Sequence, residues 1–191
     1  MRVQEIATGL WRWTGLHPAW TPAEGGPDGW EQEVGSYYYE APESIVLFDP
    51  LVPMEDRDRF LEALDRDVER AAGPVRILLT VEAHRRSAAE LMERYGATVA
   101  EVPADVELVL DRWDERVYWI PEHSALVVGD VVISRGTDLE VPQAWVGEEH
   151  YAEVIEGLRP LLELPIERVL VTHGEPVLEN GRASLAAALR S

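Results

Sequence analysis

The sequence predicts an α/β protein in four layers, helix on sheet on sheet on helix (αββα), as a single domain spanning residues 1–191. Three observations predict it. Short apolar runs at 75–79 and 168–171 stop at Thr80 and Thr172, as strands covered on both faces do. Stretches with apolar residues at helical spacing lie between the strands and carry charge on their other face. The order β-rich, helix, strand, helix then recurs in the second half, which places one sheet and one helical layer in each half.

Taken in order, 3–6 and 10–13 read as a hairpin split by Thr8-Gly9. Residues 15–30, rich in Gly and Pro, form a long loop that Trp20 and Trp30 pin to the body. Residues 34–40 and 44–49 are paired strands turning at Ala41-Pro42-Glu43, the second ending in Asp49-Pro50. Within 34–40 the consecutive Tyr37, Tyr38 and Tyr39 alternate direction, so they are expected to divide between core and surface. A helix over 55–72 buries Phe60, Leu61, Leu64 and Val68, and Gly73-Pro74 stops it. Strand 75–80 empties into a loop, and a helix from Ser87 ends at Gly96. Strands follow at 97–101, 106–110 and 116–120, with 111–115 as a turn, and His123 in the next turn reads as solvated. Strand 125–128 leads to Gly129-Asp130 and continues through 131–133. Residues 135–146 form an irregular loop with Trp145, and a helix over 148–162 begins beside an exposed His150. Strand 168–171 ends in Thr172-His173-Gly174, and a helix over 181–189 closes the chain.

Composition excludes several function classes. The net charge of −19 argues against nucleic-acid phosphates and anionic lipid, and all 17 basic residues are Arg. The absence of cysteine removes disulfides, thiolate metal sites and cysteine nucleophiles. No apolar run approaches the ~18–20 residues that cross a bilayer. Residues 1–5 lack a signal-peptide core, so a cytoplasmic location is expected. There is no Gly-rich phosphate loop and no serine nucleophile elbow.

Four segments in sequence order carry a resemblance. IVLFDPLVP closes the early paired strands, RILLT precedes a loop and helix, ALVVGDVV carries Asp130, and RVLVTHGEPV carries His173 ahead of a last helix. Together, over residues 34–189, they resemble the metallo-β-lactamase superfamily. That resemblance implies the αββα sandwich and a hydrolytic centre in which paired metals activate water and polarise a carbonyl or phosphoryl oxygen.

The departure from the family lies at its metal motif, commonly Thr-His-x-His-x-Asp-His. With Thr80 on the motif's threonine, Val81 and Ala83 stand where the first two histidines belong, and Arg85 and Arg86 stand on the Asp and the third His. His84 lies one place off the second ligand, the family's middle His is missing, and only Asp130 and His173 fall on ligand positions. The resemblance therefore implies a largely dismantled centre with no cofactor, in which Arg85 or Arg86 supplies the lost positive charge to Asp130. The alternative is a single Zn or Fe ion on His84, Asp130 and His173, which needs the loop to slip by one residue.

The expected pocket has Trp20, Trp30 and Trp145 near its mouth and His84, Arg85, Arg86, Asp130 and His173 around its floor. It suits a small anionic or aromatic ligand. His17 is placed in a surface or lid role, and Glu82 is a candidate base that nothing in the sequence positions. Three functions are compatible with these residues: non-catalytic binding of a small ligand, mononuclear metal-dependent hydrolysis, or an interaction role in which loop 15–30 contacts a partner such as a second copy in a homodimer.

Overall fold

The computed structural model of the chain describes residues 1–190. The opening hairpin pairs β1 (Val3–Ala7) with β2 (Leu10–Leu16), and Gly9 takes the left-handed turn position at φ +77°. Antiparallel β3 (Glu33–Ala41) and β4 (Ser44–Phe48) extend this sheet. After α1 (Arg57–Ala71), strand β5 (Val75–Leu78) joins parallel to β4. After α2 (Ala88–Tyr95), the short β6 (Thr98–Val99) completes the order β1-β2-β3-β4-β5-β6.

The second sheet begins with the hairpin β7 (Glu107–Arg112) and β8 (Glu115–Ile120), turned by Trp113 and Asp114, both at positive φ. β9 (Ala125–Val128) pairs antiparallel with β8. The segment expected as an irregular loop holds a small hairpin, β10 (Ile133–Arg135) with β11 (Asp138–Glu140), and a one-turn helix, α3 (Gln143–Val146). The expected long helix is split: α4 (Glu148–Leu158) tightens into a 3₁₀ segment over Arg159–Glu163, where Pro160 cannot donate to an α-helical ladder. β12 (Arg168–Val171) pairs parallel with β9, giving the order β12-β9-β8-β7, and α5 (Gly181–Ala188) follows.

Side-chain alternation explains the layers. Tyr37, Tyr39, Val46, Phe48 and Leu78 of the first sheet meet Tyr118, Ile120, Val127 and Leu170 of the second in one buried cluster between the sheets. The opposite parity of the first sheet, Tyr38, Ile45, Leu47 and Ile77, packs on Phe60, Leu61 and Leu64 of α1 and Leu91 of α2. The opposite parity of the second, Val117, Trp119, Leu126, Val128 and Val169, packs on Val154, Ile155 and Leu158 of α4 and Leu185 of α5. The architecture is thus the αββα sandwich.

This layering corrects two expectations. The three tyrosines are all buried, because β3 lies inside a sheet covered on both faces: Tyr37 and Tyr39 face the other sheet and Tyr38 faces the helices. His123 is buried as well, its ring edge-on to Tyr39 at 5.3 Å, because the 3₁₀ turn after β8 folds back over the end of the core. Among the described residues no helix is long and apolar enough to cross a membrane.

Candidate active site

The ends of β4, β5, β9 and β12 converge at one rim of the sandwich, bringing together Asp49, residues 80–86, Asp130 and the Thr172-His173 pair. The two sheets are tied there. Gly35 N donates to Thr172 O, Arg116 N to Thr80 O, the Tyr37 hydroxyl to Val171 O and the Tyr118 hydroxyl to Leu79 O, at 2.7–3.0 Å. Sites formed from loops at strand ends inherit the rigidity of the sheets beneath them.

Asp49 organises this rim. Its residue sits at φ +46°, a strained position that Asp tolerates. Oδ1 accepts from Thr80 N at 2.8 Å; Oδ2 accepts from the Thr80 hydroxyl at 2.5 Å and the Thr172 hydroxyl at 3.0 Å, and lies 3.1 Å from His84 Nδ1. Burial disfavours the carboxylate, but the His84 and Arg86 charges and these bonds outweigh it and hold its pKa below the usual range. The result fixes the His84 ring: Nδ1 faces a buried carboxylate and Nε2 faces the cavity.

His84 reaches this place through an irregular turn. Residues 82–85 form a 3₁₀ turn in which His84 departs from helical geometry, and Arg86 follows at φ +32°. His84 is buried, and its Nε2 lies 3.3 Å from Asp130 Oδ1. His173 Nε2 lies 3.3 Å from the same oxygen. Neither contact has hydrogen-bond geometry, and Asp130 Oδ1 is buried without a hydrogen-bond partner among the described residues. The three donor atoms lie within 4.8 Å of one another.

His173 is held from both sides, edge-on to Trp30 at 5.3 Å and to Trp145 at 5.2 Å. Gly174 beside it is required: its φ is +87°, and a Cβ there would lie 2.1 Å from Ser134 O. The charges are set by the surroundings. Burial opposes charge on His84, but Asp49 and Asp130 overcome it and hold the pKa up at about 9. Burial also opposes charge on Asp130, yet its two histidine neighbours hold the carboxyl far below the ordinary range. His173 is shifted down, burial outweighing Asp130, and His17 is shifted down by burial and the Arg86 charge.

A cavity of about 420 Å³ opens over these groups, lined by His17, Trp30, Ala83, His84, Arg86, Asp130, Trp145 and His173. Loop 17–32 folds over it. Trp145 Nε1 donates to Asp28 O at 2.8 Å and Arg135 Nη2 to Gly29 O at 3.1 Å, which ties the loop to the second half of the chain.

Of the residues expected here, His84, Arg86, Asp130, His173, Trp30 and Trp145 come together and four expectations are corrected. Arg85 points out of the pocket; it is exposed and paired with Glu82, since the turn that directs His84 inward directs its neighbour outward. Trp20 does not line the cavity; its Nε1 donates to Trp30 O at 2.9 Å and so braces the loop from behind. Among the described residues no guanidinium pairs with Asp130: Arg86 Nη1 donates instead to Gly35 O at 3.1 Å and Asp49 O at 3.0 Å. His17, expected in a surface or lid role, lines the cavity with its ring edge-on to Trp30 at 5.1 Å.

Sequence reasoning missed Asp49 and Glu115 as site residues. Glu115 was hidden in the charged run 111–115, although it shares strand parity with Val117 and Trp119 and so turns inward. It is buried near Asp130, and burial with the repulsion of Asp130 pushes its pKa up to about 9.

Two imidazoles and a carboxylate form a possible metal-binding group. Atoms bound at about 2.0–2.1 Å to a tetrahedral zinc stand about 3.3–3.4 Å apart; the separation from each imidazole to Asp130 Oδ1 is 3.3 Å, and all three atoms lie within 4.8 Å of one another.

No family model and no curated protein matches the sequence. Solved structures do. The metallo-β-lactamase FIM-1 from Pseudomonas aeruginosa, in its mono-zinc form, aligns with a TM-score of 0.64 at 12% identity, covering 99% of this chain and 94% of that one. A metallo-β-lactamase from Hirschia baltica gives 0.62 at 14%, covering 99% and 96%. The metallo-β-lactamase IND-7 gives 0.62 at 17%, covering 100% and 98%. Spanning both chains almost end to end at such low identity, the likeness is one of architecture: this chain has the metallo-β-lactamase fold.

Proposed function

We propose that this chain is a mononuclear metal-dependent hydrolase, with His84, Asp130 and His173 holding one divalent cation such as Zn²⁺ or Fe²⁺. One observation carries the reading: Asp130 Oδ1, buried and without a hydrogen bond, stands 3.3 Å from an imidazole nitrogen on each side. The FIM-1 neighbour, solved in a mono-zinc form, supports a single-ion centre on this fold. When bound, such an ion supplies Lewis acidity toward a carbonyl or phosphoryl oxygen and eases the ionisation of water.

The chain's own residues do the rest. Asp49 orients His84, Trp30 and Trp145 brace His173 and screen the cavity from water, and Arg86 brings a positive charge to the cavity wall. An anionic acyl or phosphoryl compound small enough for the cavity is the substrate class that this set fits.

A second reading is a metal-free pocket that binds a small anion. Arg86 favours it, since a guanidinium in the same cavity opposes a second positive charge.

Metal titration of chelator-treated protein decides between them. The hydrolase reading expects one equivalent of Zn²⁺, Mn²⁺ or Fe²⁺ per chain. A concentration one hundred times the dissociation constant then adds about 2.7 kcal/mol, a rise of about 5–11 °C in Tm. His173→Ala should abolish both. No bound metal and no thermal shift with any of the three ions would overturn the reading in favour of the metal-free pocket.

A further inference from the structure

A second cavity of about 360 Å³ adjoins the first, sharing Asp130 and Trp145 with it and reaching α4. Apolar side chains form most of its wall: Trp113, Trp145, Val131, Val146 and Val154. No arginine lines it. Glu115 borders it, but its buried Oε2 is turned to the protein: a Cβ on Gly129 would lie 2.6 Å from that oxygen and 2.6 Å from the Thr80 hydroxyl. Asp130 stands on the edge shared with the first cavity, beside its two imidazoles, and the exposed His150 is on the boundary.

Both indoles are fixed, and each has its one polar atom engaged elsewhere. Trp113 lies against α4 where a Cβ on Gly157 would come within 2.2 Å of the ring, so only glycine leaves it room. Its Nε1 donates to Glu153 at 3.1 Å, and the Arg112 guanidinium stacks 4.6 Å from its centroid. Trp145 Nε1 donates to Asp28 O at 2.8 Å. The two rings therefore offer the cavity carbon surface alone, held in place before a ligand arrives. Such walls select an uncharged aromatic ring. A charged group would exchange water for carbon without a partner, while a ring gains contact with the indoles beyond simple burial. An apolar cavity of about 150 Å³ already takes benzene. A volume of about 360 Å³ leaves room for a ring and its linking atoms, which can run past Trp145 to the Asp130 edge.

We propose that this second cavity binds an uncharged aryl group, packed against Trp113, Trp145 and Val154. The binding itself needs no metal. That the ring belongs to the substrate rests on the hydrolase reading; it makes the substrate an aryl-bearing acyl or phosphoryl compound whose ring sits beside His84, Asp130 and His173.

The test uses chelator-treated protein, with benzyl alcohol as probe and propan-1-ol as its ringless counterpart. Indole N–H resonances locate the ring: of the two cavities, Trp113 lines only the second, Trp30 only the first, and Trp145 both. Benzyl alcohol should shift Trp113 and Trp145 saturably while Trp30 stays in place, and should bind at least about tenfold more tightly than propan-1-ol. Val146→Trp, which fills the cavity, and Trp113→Ala, which removes one wall, should each weaken benzyl alcohol binding at least about tenfold, with folding checked by thermal melts. A folded protein of either kind that binds benzyl alcohol as the parent does overturns the proposal. So does equal affinity for the two alcohols, or a shift confined to Trp30 and Trp145, which would place the ring in the first cavity. With no metal present, these outcomes are independent of the metal titration, so failure of the aryl site and failure of the hydrolase reading are told apart.

Discussion

Asp49→Asn keeps the shape of the central carboxylate and removes its charge, and the surrounding donors determine the cost. An amide offers one acceptor oxygen where Asp49 offers two. If the amide oxygen replaces Oδ2, the NH₂ group meets the Thr80 backbone N–H, donor against donor. If it replaces Oδ1, the NH₂ group faces the two threonine hydroxyls and His84 Nδ1. The hydroxyls can rotate to accept. His84 can accept at Nδ1 only as the other tautomer, which moves its proton to Nε2 and removes the lone pair aimed at the cavity.

The lost charged hydrogen bonds are worth about 1.5–3 kcal/mol, or about 3–12 °C in Tm for a chain of this size. Metal affinity should fall 10–100-fold, as loss of a supporting carboxylate typically causes. Asn tolerates the positive φ at this position, so backbone strain does not confound the result. Asp49→Ala should cost more, about 3–5 kcal/mol, since it also strands the buried His84. Thermal melts with chelator measure the first effect and metal titration the second. An Asp49→Asn protein that melts within about 1 °C of the parent and binds metal equally well would refute this account of the rim.

Other expectations arise from the same geometry. Gly174→Ala forces a Cβ against Ser134 O and into the left-handed region, so it should lose about 2–5 kcal/mol in thermal melts and displace the His173 resonances. Arg86→Gln removes the charge, so affinity for a small carboxylate such as benzoate should fall in calorimetry; its amide is too short to reach the Gly35 and Asp49 carbonyls that Nη1 bonds, so the turn is unclamped and the protein should also melt lower. On the surface, Arg70 makes paired bonds to Glu40 at 2.8 and 2.6 Å and holds that carboxyl below its usual pKa. A depressed folded-state pKa stabilises above the unfolded value and is lost as pH falls through the folded one. Arg70→Ala should therefore flatten the fall in Tm between about pH 5 and pH 3, with little change at pH 7 because the pair is exposed.

The layers were legible because they rest on local alternation. Each central strand writes both of its faces in the sequence, and the helices write one. The site was legible only in part, because its bonds join residues far apart in the chain. Asp49 reads locally as the last residue before a proline, and its partners Thr80 and Thr172 lie 31 and 123 positions away. Trp20 and Trp30 look alike in a Gly- and Pro-rich loop. Only the fold distinguishes the one that braces from behind from the one that touches His173. The tyrosine triplet misled for the opposite reason: alternation was read correctly, but the strand has no exposed face.

The residues after Thr80 carry the main lesson for the chemistry. Counted against the family motif, they place Val81, Ala83, Arg85 and Arg86 where ligands belong, and that count implies an emptied centre. The chain does not keep the count. A 3₁₀ turn closed by His84 N on Val81 O, with Arg86 at φ +32°, redirects the segment so that the residue one step out of register enters the site. Arg86 then bonds backbone carbonyls from β3 and the end of β4 and clamps the turn in that shape. The arginine expected to replace a cation therefore does different work: it holds the loop whose curvature delivers His84 to Asp130. A backbone at non-glycine positive φ costs of order 1–3 kcal/mol, and two such positions, Asp49 and Arg86, flank this one histidine. Of the eight non-glycine residues at positive φ among the described residues, these are the two that contact or adjoin His84, so the backbone on both sides of the ring is fixed by bonds to Thr80, Thr172 and the β3–β4 carbonyls.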